Sequence, residues 1–297
     1  MKRRGIAALL VSAFVLAAVF SGCARREGNV IVVGAADYTE QFILGYVMQI
    51  RINETADLNT RLVSNLSTTV LFTAFTTGSI DVYIEYTGTI YGSFFGYTEI
   101  RTPDEVFEIT RDGMRRRHNV RMLERIGFNN TYALAVRPDT AEQFNLRTIS
   151  DLARAAPELT LGATIEFINR EDGLLGIQRV YGTNFRDVIP LQGVLRYTAL
   201  MNDEVQVISA FSTDGMLLRH QLIVLEDDLA FFPPYHAVVM IREEIAQRHP
   251  ELVTVMNRLI GTLDDYSMRE LNYRVDVLHE SPAAVARSFL RDSGLIR

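Results

Sequence analysis

Short apolar runs and helix-spaced segments alternate along most of this chain, and that alternation restricts the fold more than any other feature. "VIVVG" (30–34) reads as a buried strand. "TEQFILGYVMQIRI" (39–52) then repeats apolar residues at helical spacing, with Phe42, Tyr46 and Ile50 or Ile43, Val47 and Ile50 on one side. "TRLVSN" reads as a second strand, "STTVLFTAFTTG" as a helix closed by Gly78, and "IDVYIEY" as a third strand. That third strand places Ile80, Val82 and Ile84 on one face and Asp81, Tyr83 and Glu85 on the other. "TPDEVFEITRDGMRRR" opens with a capping box: Thr102 as N-cap, Pro103 at the first helical position and Glu105 at the third. "TYALAVR" (131–137) begins a further strand–helix series that runs through "LTLGAT", "DGLLGIQRVYG", "EVQVISA" and "LIVLED". From "HAVVMIR" onward the pattern is mostly helical, with Pro250 and Ser281-Pro282 each starting a helix. Such an order predicts an α/β protein with largely parallel sheets.

The series from 132 to 235 is complete in itself, and the final helices must pack somewhere. They are expected to return to the first unit. Residues 30–131 and 236–297 then form one lobe, residues 132–235 an inserted second lobe, and two crossing segments form the hinge. Ligands in open α/β sheets bind beyond the carboxyl ends of the strands, which between two such lobes is a cleft.

The first residues, "MKRRGIAALLVSAFVLAAVFSGC", are set apart from the fold. Lys2, Arg3 and Arg4 precede an apolar stretch from Ile6 to Phe20. That stretch is shorter than the about 20 residues a spanning helix needs, and it runs into small residues as an export signal does. A signal anchor is the alternative. Cys23, the single cysteine, follows "FSG" directly, and the segment resembles a bacterial lipobox, although Phe20 stands where leucine is usual. The resemblance implies a signal peptide over 1–22, a lipidated Cys23 as the mature N-terminus, and a tether over 23–29. Each buried acyl methylene contributes about 0.8 kcal/mol, so two or more chains hold a protein stably on a membrane.

Losing that segment removes three basic groups from a chain whose formal charge is already −6. An acidic chain argues against a nucleic-acid partner, and the one basic cluster, "RDGMRRRHNVR" (111–121), reads as a solvated helix face. No phosphate-binding G-x-x-x-x-G-K-[ST] or G-x-G-x-x-G and no G-x-S-x-G elbow occurs. His118, His220, His236, His249 and His279 lack metal-ligand spacing, and no second thiol exists. The residues therefore point to no catalytic group, no metal and no cofactor.

Aromatic side chains do stand where strands end or turn: Tyr86 in "EYTGT", Tyr132 in "GFNNTYAL", Phe211 in "SAFSTDG" and Tyr235 in "FFPPYH". Pro233 and Pro234 fix φ and lack N–H groups, so Tyr235 follows a stiff extended crossing. Core packing is the alternative role for each ring.

The pieces "GAADYTEQ", "GSIDVYIEYTGT", "GFNNTYAL", "NREDG", "FSTDG", "LEDDLAFFPPY" and "ELNYRVD" follow one another from Val30 to Leu295. In that order they resemble the substrate-binding proteins of ABC importers for glycine betaine, choline and carnitine. The resemblance implies a two-lobed, periplasmic-binding-protein-like fold with a hinge and an interlobe cleft. It implies four aromatics around a trimethylammonium head, matched here by Tyr86, Tyr132, Tyr235 and Phe211. A quaternary ammonium has no N–H to donate, whereas aromatic faces attract it at about 0.5 to 2 kcal/mol each. Thr89 matches a position that hydrogen-bonds a ligand carboxylate, and Arg170 one that clamps it. Ala36 stands where a lysine or glutamine often meets that carboxylate, and Asp37 beside it would favour choline. A lysine at Ala36 is accordingly expected to favour glycine betaine. The implied partners are a quaternary-ammonium solute, an ABC permease and ATPase, and a membrane reached through the lipid anchor on the extracytoplasmic side. The same fold holding another small polar solute, such as a proline derivative, and a lipid-anchored hydrolase with a scattered triad are the alternatives.

Overall fold

The computed structural model describes residues 30–297; the predicted signal, Cys23 and the tether lie outside the described residues. In chain order its strands are β1 (Val30–Ala36), β2 (Asn59–Leu66), β3 (Val82–Tyr86), β4 (Val120–Asn129) and β5 (Tyr132–Val136). They continue with β6 (Thr160–Ala163), β7 (Asp187–Pro190), β8 (Val207–Phe211), β9 (Ile223–Val224) and β10 (His236–Arg242). Two five-stranded sheets result, ordered β2-β1-β3-β10-β4 and β7-β6-β8-β5-β9. The chain passes from the first sheet to the second between Asn129 and Tyr132 and returns between Val224 and His236.

The sheets are mixed rather than largely parallel. β1 runs parallel to β2 and β3, and β6 runs parallel to β7 and β8. In each sheet the strand adjoining a crossing opposes its neighbours: β10 is antiparallel to β3 and β4, and β5 to β8 and β9. The reason is direction of entry. A strand arriving from the other sheet enters at the end where its neighbours leave, so it has to run back along them.

Both faces of the first sheet are covered. Val82, Ile84 and Tyr86 of β3 join one apolar layer with the helix Thr39–Thr55 and the C-terminal helices, while Tyr83 joins another with the helices Thr68–Thr76 and Pro103–His118. Ile80, expected on the Val82 face, belongs to the Tyr83 layer, because it precedes the strand and escapes its alternation. The second sheet is likewise covered on two sides.

Helix boundaries follow their capping chemistry. The Thr102 hydroxyl accepts from the Glu105 N–H at 3.3 Å, and the Glu105 carboxylate accepts from the Thr102 N–H at 2.9 Å. Arg115 and Arg116 beyond it are exposed and pair with Asp112, as a solvated face should. Arg117 is exposed as well and packs on aromatic rings. Its guanidinium lies 4.3 Å from the Phe95 ring centroid and donates to the Tyr97 hydroxyl at 2.8 Å. With Phe94 stacked on Phe72 at 3.8 Å, these contacts account for much of the aromatic content around residues 91–97.

β3 also carries a buried acid. Glu85 is 3 % exposed and accepts from the Tyr86 N–H at 2.9 Å and the Tyr83 hydroxyl at 3.4 Å. Burial dominates those two bonds and pushes its carboxyl up to about 8. The folded chain therefore keeps a proton that the unfolded chain releases above the ordinary carboxylate range. Folding stability contributed by Glu85 is full below that range and declines until pH reaches about 8. The decline is up to about 1.4 kcal/mol per pH unit. Urea midpoints measured across this interval should fall more steeply for the wild type than for Glu85→Gln; parallel curves would show that Glu85 ionises normally.

Candidate ligand site between the two sheets

The two crossings lie side by side because their backbone groups satisfy one another. The Asn129 side-chain carbonyl accepts from the Tyr235 N–H at 2.6 Å, and the Asn130 N–H donates to the Tyr235 carbonyl at 3.1 Å. The carbonyls of Pro233 and Pro234 accept from the hydroxyls of Thr131 and Thr87, at 3.1 and 3.0 Å. Thr87 accepts in turn from the His236 N–H at 3.1 Å. Prolines bring no N–H of their own to this segment, so nothing on their nitrogen side needs a partner.

Strand ends at these crossings deliver the rings. Tyr132 opens β5 and sits directly opposite Phe211, the last residue of β8, and the two stack with centroids 5.0 Å apart and planes at 24°. Tyr235, just before β10, meets Tyr132 edge-on at 6.4 Å. Phe167 and Phe232 back Tyr132 at 5.1 and 6.1 Å. Arg170 comes into the same group: its guanidinium lies 6.0 Å from the Tyr132 centroid and donates to the Tyr235 hydroxyl at 3.3 Å. Four of the six ligand-binding residues expected from sequence thus share one cluster.

Tyr86 and Thr89 lie outside this cluster. Tyr86, at the end of β3, is only 4 % exposed, and its ring contacts Phe128 at 6.4 Å. Its link to the cluster runs through the following turn, where Gly88 lies against the Tyr235 ring. Thr89 is half-buried and begins the short wide-turned helix Thr89–Phe94. Ala36 must be corrected. It is 3 % exposed and packs in the apolar layer of Val32, Leu71 and Phe75, so it presents nothing to a ligand carboxylate and a lysine there would have to displace the core. Asp37, by contrast, is exposed.

Two carboxylates that the sequence reading did not single out organise the tyrosine hydroxyls. Glu40, 3 % exposed, accepts from the Tyr86 hydroxyl at 2.5 Å, from the Asn130 amide at 2.9 Å and from the Asn272 amide at 3.0 Å. Burial raises its carboxyl above the ordinary range, and those donors pull it back. Asp172 accepts from the Tyr235 hydroxyl at 2.6 Å and grips Arg170 with both oxygens, at 2.6 and 2.5 Å. Burial pushes Asp172 up, but the guanidinium and the hydroxyl outweigh it and hold the acid below its usual value. Burial, with these carboxylates, raises both the Tyr86 and the Tyr235 hydroxyls, so each remains a protonated donor. Glu40 stands in "GAADYTEQ" and Asp172 in "NREDG"; the local signal was a carboxylate one residue from a strand–helix boundary or a turn, which alone names no partner.

A cavity of about 610 Å³ opens beside the cluster, lined on the first sheet's side by Gly88, Tyr91 and Tyr97 and on the second's by Arg170, Asp172 and Phe231. Tyr235 also lines it. A small molecule entering there would touch both sheets at once.

Comparison with known proteins agrees. Over 98 % of its length the chain is 33 % identical to the carnitine transport binding protein OpuCC of Listeria monocytogenes, covering 97 % of that protein. It is 34 % identical to a glycine-betaine-binding protein of Pseudomonas aeruginosa, across 93 % of this chain and 91 % of the relative. A solved glycine betaine/carnitine/choline ABC transporter structure superposes with a TM-score of 0.84 at 32 % identity, over 89 % of this chain and 99 % of that one. The chain belongs to the family of substrate-binding domains of ABC-type glycine betaine transport systems, matched over residues 29–292. These are extracytoplasmic components that bind a small solute for a permease, and they are not enzymes. Among the described residues no helix is long and apolar enough to cross a membrane.

The Gly88 contact gives a direct test of how the site is held. A methyl group there would lie 2.8 Å from Tyr235 Cδ1 and Cε1 and 2.9 Å from the Pro234 carbonyl oxygen. Gly88→Ala should therefore destabilise the protein by about 1 to 3 kcal/mol through overpacking. An unchanged denaturation midpoint would show that the crossing yields to the added group.

Proposed function

We propose that this protein captures a quaternary-ammonium osmolyte (glycine betaine, choline or carnitine) between its lobes and presents it to an ABC permease driven by a separate ATPase. Lobe I comprises residues 30–131 and 236–297, and lobe II residues 132–235. Tyr132, Phe211 and Tyr235 form the wall from lobe II, and Tyr86 the wall from lobe I. Thr89 and Arg170 lie toward the polar end of the ligand. The observation that supports this most strongly is the grouping of Tyr132, Phe211 and Tyr235 at the crossings, with ring centroids 5.0 and 6.4 Å apart beside an open cavity.

The physical argument is one of complementarity. A trimethylammonium group offers charge spread over methyl groups and nothing to hydrogen-bond. Ring faces supply both the quadrupole and the apolar contact that such a group can use. Closure of the lobes follows only from contacts better made in the shut state, since a ligand shifts an equilibrium by its differential affinity alone. Walls drawn from both lobes provide that difference. A diacylglyceryl group on Cys23, joined through the 23–29 tether, would keep the protein at the outer face of the membrane where the permease sits.

Calorimetric titration with the three solutes should give saturable binding of at least one. Tyr132→Ala and Tyr235→Ala should each weaken it by about 0.5 to 2 kcal/mol while leaving the protein folded. Unaltered affinity in both variants would remove the cage. For the anchor, Cys23→Ala should move the protein from the membrane fraction to the soluble fraction of its native cell and abolish incorporation of labelled fatty acid. Retention at the membrane would point to the uncleaved signal anchor instead.

A further inference from the structure

Three arginines near the aromatic cluster are already matched by carboxylates, and a fourth, Arg269, is held by the Ser212 carbonyl at 2.6 and 2.9 Å. Asp172 occupies the Nε and NH2 edge of Arg170, Arg179 pairs with Glu171 at 2.8 Å, and the buried Arg196 lies 3.9 Å from Asp214. Arg196 is further committed to the Ser209 hydroxyl and the Gly193 carbonyl, at 3.2 and 3.3 Å. A ligand carboxylate arriving in the cavity would meet only guanidiniums that are already paired, those of Arg170 and Arg179. It would have to compete with Asp172 for Arg170, or meet that acid at close range.

The acids are not matched in the same way. Glu40 stands directly behind Tyr86, and its side-chain donors (Tyr86, Asn130, Asn272 and Thr213) are all neutral. Among the described residues no ion pair involves it. Two tyrosines of the cage therefore donate their hydroxyls to carboxylates, Tyr86 to Glu40 and Tyr235 to Asp172. A phenol that donates to a carboxylate gains electron density in its ring, and a ring richer in density attracts a cation more strongly. A carboxyl group with no cationic partner behind one wall and a neutralised guanidinium at the other end favour the same kind of ligand.

We propose that the site selects a compact quaternary-ammonium cation without a carboxylate, an amino-alcohol of the choline class, over zwitterionic betaines, and that Glu40 and Asp172 set this preference. The inference rests on the aromatic-cage reading and goes beyond it, because the cage alone serves all three solutes equally. Asp172 acts twice: it neutralises Arg170 and it polarises Tyr235. Glu40 stands behind the Tyr86 ring with neutral partners only.

Choline, glycine betaine and carnitine titrated into the wild-type protein at neutral pH, and then into Asp172→Asn and Glu40→Gln, test this. The wild type should bind choline more tightly than glycine betaine by about tenfold or more. Asp172→Asn leaves a shape-matched residue and frees the Arg170 guanidinium, so choline should weaken by about three- to tenfold while glycine betaine tightens. That crossing of affinities is something a merely structural defect would not produce. Glu40→Gln should weaken choline more than glycine betaine; should it fail to fold, the Asp172→Asn result stands by itself. Tighter binding of glycine betaine than choline by the wild type, or an unchanged ratio in Asp172→Asn, overturns the assignment while leaving the cage intact. Saturable binding of none of the three solutes removes the cage and this inference together.

Discussion

The site depends on the backbone exchange that holds the two crossings together. Two segments leaving one sheet for another must satisfy their peptide groups without a regular ladder. Asn129 does this by imitating a strand partner, accepting the Tyr235 N–H with its side chain, while Thr131 and Thr87 reach the two proline carbonyls. Once the crossings are paired, the first residue of β5 and the residue before β10 come to lie beside each other. Tyr132 and Tyr235 occupy those two positions, and Phe211 follows because the register of β5 on β8 places it opposite Tyr132. The ring cluster is thus a consequence of how the crossings bond, not of any attraction among the rings strong enough to form it.

The same economy governs the two buried acids of lobe I. Glu85 has two donors, one of them at 3.4 Å, and burial prevails, leaving it protonated near neutrality. Glu40 has three side-chain donors at 3.0 Å or less, and they restrain the rise that burial imposes. Two glutamates of equal burial therefore differ in how they are satisfied. One is a polar plug between strands; the other ties the end of β3 to the first crossing. Glu40 also reaches beyond its own lobe, since the Asn272 amide that donates to it donates as well to the Thr213 carbonyl of the second lobe, at 2.9 Å. Its hydrogen bonds therefore touch the β3 end, the first crossing and the segment after β8, which are the elements a hinge must coordinate.

Much of the architecture was legible in the residues. Alternating strand and helix signals gave two α/β units, Thr102 with Glu105 marked a helix start, and Pro250 and Ser281-Pro282 marked two more. Legibility ended where a property depended on distant segments. The largely parallel sheets became mixed because a crossing strand's direction is set by the path of the chain rather than by its composition. Ala36 resembled an unfilled position for a ligand donor, yet its side chain faces the core, since which face of β1 is covered is decided by the helices Thr68–Thr76 and Pro103–His118. Arg170 could be named as a clamp, but its neutralisation by Asp172 and Tyr235 belongs to the folded cluster.

By itself the sequence determined the units, their order and the residue types available at each strand end, because hydrophobic period, capping groups and prolines act over a few residues. Tertiary structure alone decided which rings meet, which acids lose water and which arginines are already paired. Those outcomes depend on distance and desolvation between segments far apart in the chain, and a linear string carries neither.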